Sequence, residues 1–121
     1  MRMKTVLIVD DEAAFRKAIS ASLKVRGYNT LEAEDGMIGL DLAAKHRPDV
    51  IVSDVNMDNM NGFMMVEELM AEPMTARIPV IMMTAQAQGA GAWQSEANIT
   101  YLDKGFSTQQ LITAIESVTK K

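Results

Sequence analysis

Several apolar stretches of this chain stop at residues able to do chemistry. Val6-Leu7-Ile8-Val9 runs into Asp10-Asp11, and Val50-Ile51-Val52-Ser53 runs into Asp54. Val80-Ile81-Met82-Met83 stops at Thr84, and the strand-like Ile99-Thr100-Tyr101-Leu102 is followed by Asp103-Lys104. Short, continuous apolar runs are what a strand buried on both faces requires. In a parallel sheet the carboxyl ends of all strands lie along one edge, where ligands bind near the switch in strand order. Asp10, Asp11, Asp54, Thr84 and Lys104 would then share one small cleft.

The chemistry of that set is specific. Carboxylates a few ångströms apart repel, so one must take a proton or a cation must join them. Hard oxygen donors with room for water suit Mg²⁺, and Mn²⁺ equally. Lys104 adds a point charge and Thr84 a hydroxyl. Together these fit a phosphoryl group carried on a carboxylate, because phosphoryl transfer asks mainly for positioning and charge neutralisation. An aspartate can serve as its nucleophile. Taken singly, each residue has a plainer reading: Asp10, Asp11 or Thr84 as a helix cap, Asp54 as the start of an Asx turn, Lys104 as a solvated charge. Taken jointly, the plainer reading needs four strands to end by chance in complementary groups.

Helical patterns separate the strands. Phe15, Ile19 and Leu23 recur at helical spacing, with Gly27 as a stop. Asn29 to Ala33 is a weaker strand, and Asp35-Gly36 reads as a turn. Met37, Leu40 and Ala43–Ala44 give a short helix that ends before Pro48. Phe63, Val66, Leu69 and Met70 form a third, ending near Pro73. Ser107 and Gln110 make a capping box ahead of Leu111, Ile115 and Val118. Between Thr84 and Ile99 the chain is small and polar, with Gly89, Gly91 and the single Trp93, so a fourth helix there would be short or irregular. Alternating strands and helices imply an α/β fold with helices on both faces of a mainly parallel sheet.

Composition narrows the function. The 121 residues make one domain, 1–121, with 48% hydrophobic and 23% charged residues. A net charge of −4 and the lack of a basic run speak against direct nucleic-acid binding. With no cysteine, disulfides and thiolate metal sites are excluded. The first apolar run is too short for a signal peptide core or a membrane span, so a cytoplasmic protein is expected. His46 has no metal-like cluster around it. The eleven methionines read mostly as core filler, with an adaptable binding surface as the rival reading.

The chain resembles the receiver domains of two-component response regulators over essentially its full length. The matching stretches are Val6 to Glu12, Ala33 to Gly36, Pro48 to Asp54, Met57 to Gly62, Ile78 to Ala85 and Tyr101 to Lys104. The resemblance implies a flavodoxin-like, doubly wound (βα)5 three-layer sandwich on a five-stranded parallel sheet. It implies that Asp54 accepts a phosphoryl group from a histidine kinase or a histidine phosphotransfer protein. Asp10, Asp11, Asp54 and the backbone carbonyl of Asn56 would hold Mg²⁺. Thr84 would be the switch hydroxyl, Tyr101 the aromatic that follows it inward, and Lys104 the ammonium that pairs with the phosphate. Asn56 and Tyr101 enter only through this resemblance.

The chain also departs from the family pattern. Gly105 stands where the family usually has a proline with a cis bond. A cis bond before a non-proline residue costs about 3 kcal/mol, so a trans bond and a more mobile Lys104 loop are expected. Met57 is followed by Asp58 rather than proline, and the segment before Ile99 is roughly two residues short. Trp93 there is either the anchor of a frayed helix or an exposed contact for a partner. No effector domain follows Lys121, which leaves a single-domain regulator or a piece of a longer chain.

Three function classes follow. The first is a phosphorylation-activated receiver that catalyses only its own phosphorylation and dephosphorylation and acts on a downstream protein. The second is a degenerate receiver working as a phosphorylation-independent adaptor, which the intact acids and Lys104 disfavour. The third, an aspartyl phosphohydrolase, would carry a second acid two residues after the nucleophile, and that position is Asn56.

Overall fold

All the apolar runs form strands. The computed structural model describes residues 3–57, 59–85 and 99–119. Along them lie β1 (Thr5–Val9), α1 (Ala13–Val25), β2 (Asn29–Ala33), α2 (Gly36–His46) and β3 (Val50–Asp54). Then come α3 (Gly62–Ala71), β4 (Val80–Thr84), β5 (Ile99–Asp103) and α4 (Thr108–Thr119). The short helix expected between Thr84 and Ile99, Trp93 within it, and Asp58 lie outside the described residues.

The five strands make one parallel sheet in the order β2-β1-β3-β4-β5. From β1 the chain moves outward to β2, then returns past β1 to β3, so the winding reverses between β1 and β3. Val9 lies opposite Ser53. Asp10 and Asp54, the next residues along, therefore emerge side by side at the switch point.

Side-chain alternation splits the core into two layers. Val6, Ile8, Val50, Val52, Ile81 and Met83 pack with Ile19 and Leu23 of α1 and with Leu111, Ile112 and Ile115 of α4. Leu7, Val9, Ile51, Val80, Met82 and Ile99 face Ala43 of α2 and Met65, Val66 and Leu69 of α3. Both faces are covered, which is why the strands lack polar alternation. Burying each of the larger of these side chains contributes about 1.5–3 kcal/mol.

Local signals set the helix ends. Gly27, at φ +93°, closes α1: its N–H donates to Lys24 O and the Tyr28 N–H to Leu23 O. Asp35-Gly36 is a helix start rather than a free turn, since Asp35 Oδ1 accepts from the Ile38 N–H at 2.9 Å. Asn61 caps α3 through the Met64 N–H at 2.9 Å. Ser107 and Gln110 form the expected reciprocal box, at 3.1 and 2.8 Å.

The methionines divide. Met65, Met82 and Met83 are fully buried, whereas Met37, Met64, Met70 and Met74 are about half exposed. Met37 and Met70 thus lie outside the core that helical spacing assigned them. Helices α2 and α3 are apolar on much of their circumference, so spacing alone does not single out the buried face. His46 is exposed, as expected. No described peptide bond is cis, so Lys104–Gly105 is trans, again as expected.

Two glycines should respond oppositely to a methyl group. At Gly62 a Cβ would stand 2.7 Å from the Asp54 carbonyl oxygen and 2.8 Å from the Met82 methyl, while at Gly105 it would meet nothing within 4 Å among the described residues. Gly62→Ala should cost about 1–3 kcal/mol by overpacking. Gly105→Ala should gain about 0.4–1 kcal/mol by restricting the unfolded chain. Urea midpoints read the two, and equal midpoints would refute the packing account.

Asp35 offers a pH test. Hydrogen bonds from the Ile38 N–H and then the Asn59 amide hold its carboxyl below the usual value of 3.8. The cap's contribution is therefore complete above that value and is lost as pH falls through the lower folded one. Asp35→Ala should cost about 1 kcal/mol at neutral pH and progressively less in acid. A penalty that stays constant down to the folded pKa would contradict the assignment.

Candidate functional site

Asp10 is fixed from several sides at the end of β1. Its N–H donates to Ala33 O at 3.0 Å, and its carbonyl accepts from Arg16 Nη1 at 2.7 Å. Its Oδ1 accepts from the Glu12 N–H at 2.9 Å. The residue is fully buried, and among the described residues its Oδ2 has no hydrogen-bond partner. Asp54 closes β3 and is nearly as deep. Its Oδ1 accepts from the Asn56 N–H at 3.4 Å, and Ser53 Oγ donates to its carbonyl at 2.9 Å. Asp11, the next residue after Asp10, is exposed. One carboxylate oxygen from each of Asp10, Asp11 and Asp54 lies within 4.8 Å of the others.

Lys104 comes from the end of β5. Its main-chain N–H donates to Thr84 O at 3.0 Å, which carries the β4–β5 pairing to the rim. Its ammonium donates to Asp54 Oδ2 at 3.1 Å and stands 3.8 Å from Asp10 Oδ2. It also sits 4.9 Å from the centroid of the Phe15 ring.

The electrostatics follow from crowding. Burial, seconded by the charges of Asp54 and Asp11, pushes the Asp10 carboxyl above its ordinary range, although the Glu12 N–H and Lys104 oppose this. Burial alone would lower Lys104. The Asp54 hydrogen bond and the charges of Asp54, Asp10 and Glu12 outweigh it and hold the ammonium above its usual value. One ammonium facing three carboxylates leaves the pocket negative. The Asp10 oxygen without a hydrogen bond among the described residues and the all-oxygen donor set fit a hard divalent cation.

The sequence-predicted residues separate into those in this cluster and those beside it. Asp10, Asp11, Asp54 and Lys104 meet directly, and Asn56 adjoins them through its main-chain N–H. Thr84 stands at the rim, half-buried at the end of β4. Tyr101 lies outside the cluster. It pairs with Met82 in the sheet, and its ring packs 6.4 Å from that of Phe63 on the α2–α3 side. Its hydroxyl is buried and, among the described residues, has no hydrogen-bond partner, and burial raises its pKa. Strand alternation puts Thr84 on that same sheet face.

Sequence reasoning missed two neighbours of the cluster. Phe15 reads as a core residue at helical spacing, yet it faces the Lys104 ammonium. Arg16 carries no sequence signal, yet it holds the Asp10 carbonyl and pairs with Glu32 at 3.0 Å.

Residues 6–116 match the family model of the response regulator receiver domain. The chain belongs to this family. Among curated relatives, this receiver is 33% identical to Protein PilH of Pseudomonas aeruginosa, over 96% of this chain and 98% of that one. It is 32% identical to the phosphate regulon transcriptional regulatory protein PhoB of the same species, over 98% of this chain and 52% of the relative. The chain thus spans about half the length of PhoB, and likewise of the DNA-binding regulator RpaA of Synechocystis. Among solved structures, chemotaxis protein CheY4 of Vibrio cholerae superposes with a TM-score of 0.89 at 32% identity, covering 97% of this chain and 99% of that one. The receiver domain of a Pseudomonas aeruginosa sensor histidine kinase superposes with a TM-score of 0.89 at 25% identity, covering 99% of this chain and all of its own. That protein holds a magnesium ion in its active site cleft.

The crowding is testable. Asp10→Asn keeps an acceptor for the Glu12 N–H and removes a buried charge. In metal-free buffer at pH 7 the variant should be more stable than wild type by about 1 kcal/mol, a shift of a few degrees. Adding Mg²⁺ should raise the melting temperature of the wild type and barely move the variant. A metal-free variant that melts below wild type would contradict the electrostatic reading.

Proposed function

We propose that Asp54 is the phospho-acceptor of this receiver, with a histidine kinase or a histidine phosphotransfer protein as donor. The observation that carries the proposal is the Asp54 carboxylate itself, 3.1 Å from Lys104 and grouped with Asp10 and Asp11. In the transfer, one carboxylate oxygen of Asp54 bonds to phosphorus as the donor's P–N bond breaks. The imidazole nitrogen keeps the bonding pair, and an acyl phosphate remains on Asp54. Asp10, Asp11, Asp54 and the Asn56 carbonyl would hold Mg²⁺, or Mn²⁺ on the same donors. When bound, that cation neutralises charge on the phosphoryl oxygens.

The remaining roles belong to side chains of this chain. Lys104, already protonated and already paired with Asp54, follows the charge onto a phosphoryl oxygen. Thr84 supplies a hydroxyl to another. Tyr101, which packs against Phe63 on the sheet face that Thr84 shares, follows that hydroxyl inward and carries the change toward the surface. The only bonds made and broken on the protein are those of its own acyl phosphate, so the receiver is a switch rather than an enzyme with a separate substrate. Its downstream target is a protein. The net charge of −4 supports a domain that does not itself touch nucleic acid. No helix of the described residues is long and apolar enough to cross a membrane, and we place the domain in the cytoplasm with its donor.

Incubation with acetyl phosphate and Mg²⁺, read by intact mass, tests the acceptor. A gain of one phosphoryl group is expected for the wild type, with none for Asp54→Ala and little in the presence of a chelator. A gain that survives Asp54→Ala would overturn the assignment.

A further inference from the structure

The turn that carries Lys104 is held in part through its main chain. The Lys104 N–H bonds to Thr84 O, and the Phe106 N–H closes a turn on Asp103 O at 3.0 Å. Gly105 between them brings no side chain, and among the described residues a Cβ there would touch nothing within 4 Å. Lysine itself is a long, flexible stem with a compact charge at its end. Asp54 and Asp10 hold that charge from one side, and a contact on another side would fix it further.

Phe15 reaches both ends of the problem. Its ring lies 4.9 Å from the Lys104 ammonium, and 6.2 Å, tilted by 60°, from the ring of Phe106. Both rings are half-buried against the α1–α4 layer of the core, so the platform is firm. An aromatic face attracts a cation through its quadrupole. Unlike a further carboxylate, it adds no negative charge to a pocket that already has an excess. It also provides no oxygen to compete for the ammonium's N–H groups, which stay available to Asp54 and to an arriving phosphoryl oxygen.

We propose that Phe15 is a positioning residue for phosphoryl transfer, holding the Lys104 ammonium over the acidic cluster while its contact with Phe106 steadies the turn beneath it. This rests on the reading of Lys104 as the partner of the phosphoryl group. It predicts that the electron density of the ring, and not only its volume, sets the rate.

Phosphorylation by acetyl phosphate with Mg²⁺ would be timed for wild type, Phe15→Tyr, Phe15→Leu and full-length chains with mono-, di- and trifluorinated phenylalanine at position 15. Fluorination largely preserves ring shape and drains negative charge from its face. The rate should fall stepwise with fluorination, by about two- to five-fold over the series, on the scale of a partly exposed cation–π contact. Phe15→Tyr should keep the wild-type rate, and Phe15→Leu should be no faster than the trifluorinated chain. Independently of phosphorylation, the Lys104 ε-methylene protons should resonate upfield in the wild type, under the ring current, and return to their ordinary position in Phe15→Leu. Rates that stay flat across the series, or an ordinary Lys104 position in the wild type, overturn the proposal. A wild type that takes no phosphoryl group overturns the acceptor assignment instead, and the resonance shift still reads the contact.

Discussion

Asp10, Asp11 and Asp54 crowd within 4.8 Å because β1 and β3 are parallel neighbours with Val9 opposite Ser53. Neither carboxylate at the strand ends can move away without breaking the central ladder. The surroundings answer that repulsion. Main-chain N–H groups of Glu12 and Asn56 point at carboxylate oxygens, and a single ammonium bridges Asp54 and Asp10. A fixed acidic pocket of this kind could hold a cation, and reorganising little at the moment of reaction is what makes such fixed charges effective.

The loop after Asp54 is fastened rather than free. The Val55 N–H reaches Met83 O at 3.3 Å, and the Gly62 N–H returns to Val55 O at 2.9 Å. Further out, Asn59 takes a left-handed φ of 69°, which asparagine tolerates, and its amide donates to Asp35 Oδ2 at 3.0 Å. The loop after Asp54 is thereby tied to the cap of α2 on one side and to the start of α3 on the other. Helix positions and the geometry around Asp54 are therefore not independent.

The strands and the acids were readable in the residues because each breaks a rule the other keeps. A strand buried on both faces needs an uninterrupted apolar run, and a carboxylate at its end is expensive unless it has work to do. Asp35 was harder, because the residue types that make turns also cap helices and only the following helix decides. Met37 and Met70 misled because apolar residues lie on several sides of their helices. Phe15 and Arg16 act through partners on other elements, which no local pattern reports. Asn56 and Tyr101 could be named from a family resemblance and from nothing in their own surroundings, since one offers its backbone and the other looks like an ordinary strand aromatic.

The central place of β1 has a kinetic side. Pairing β1 with β3 closes a loop of chain that includes α1, β2 and α2, and parallel strands cannot be joined by a tight turn. Such distant pairing is entropically slow to reach. The three carboxylates come from the two ends of that loop, so no partly folded chain lacking the β1–β3 ladder assembles them. The acidic cluster is therefore a property of the closed sheet and not of any local segment.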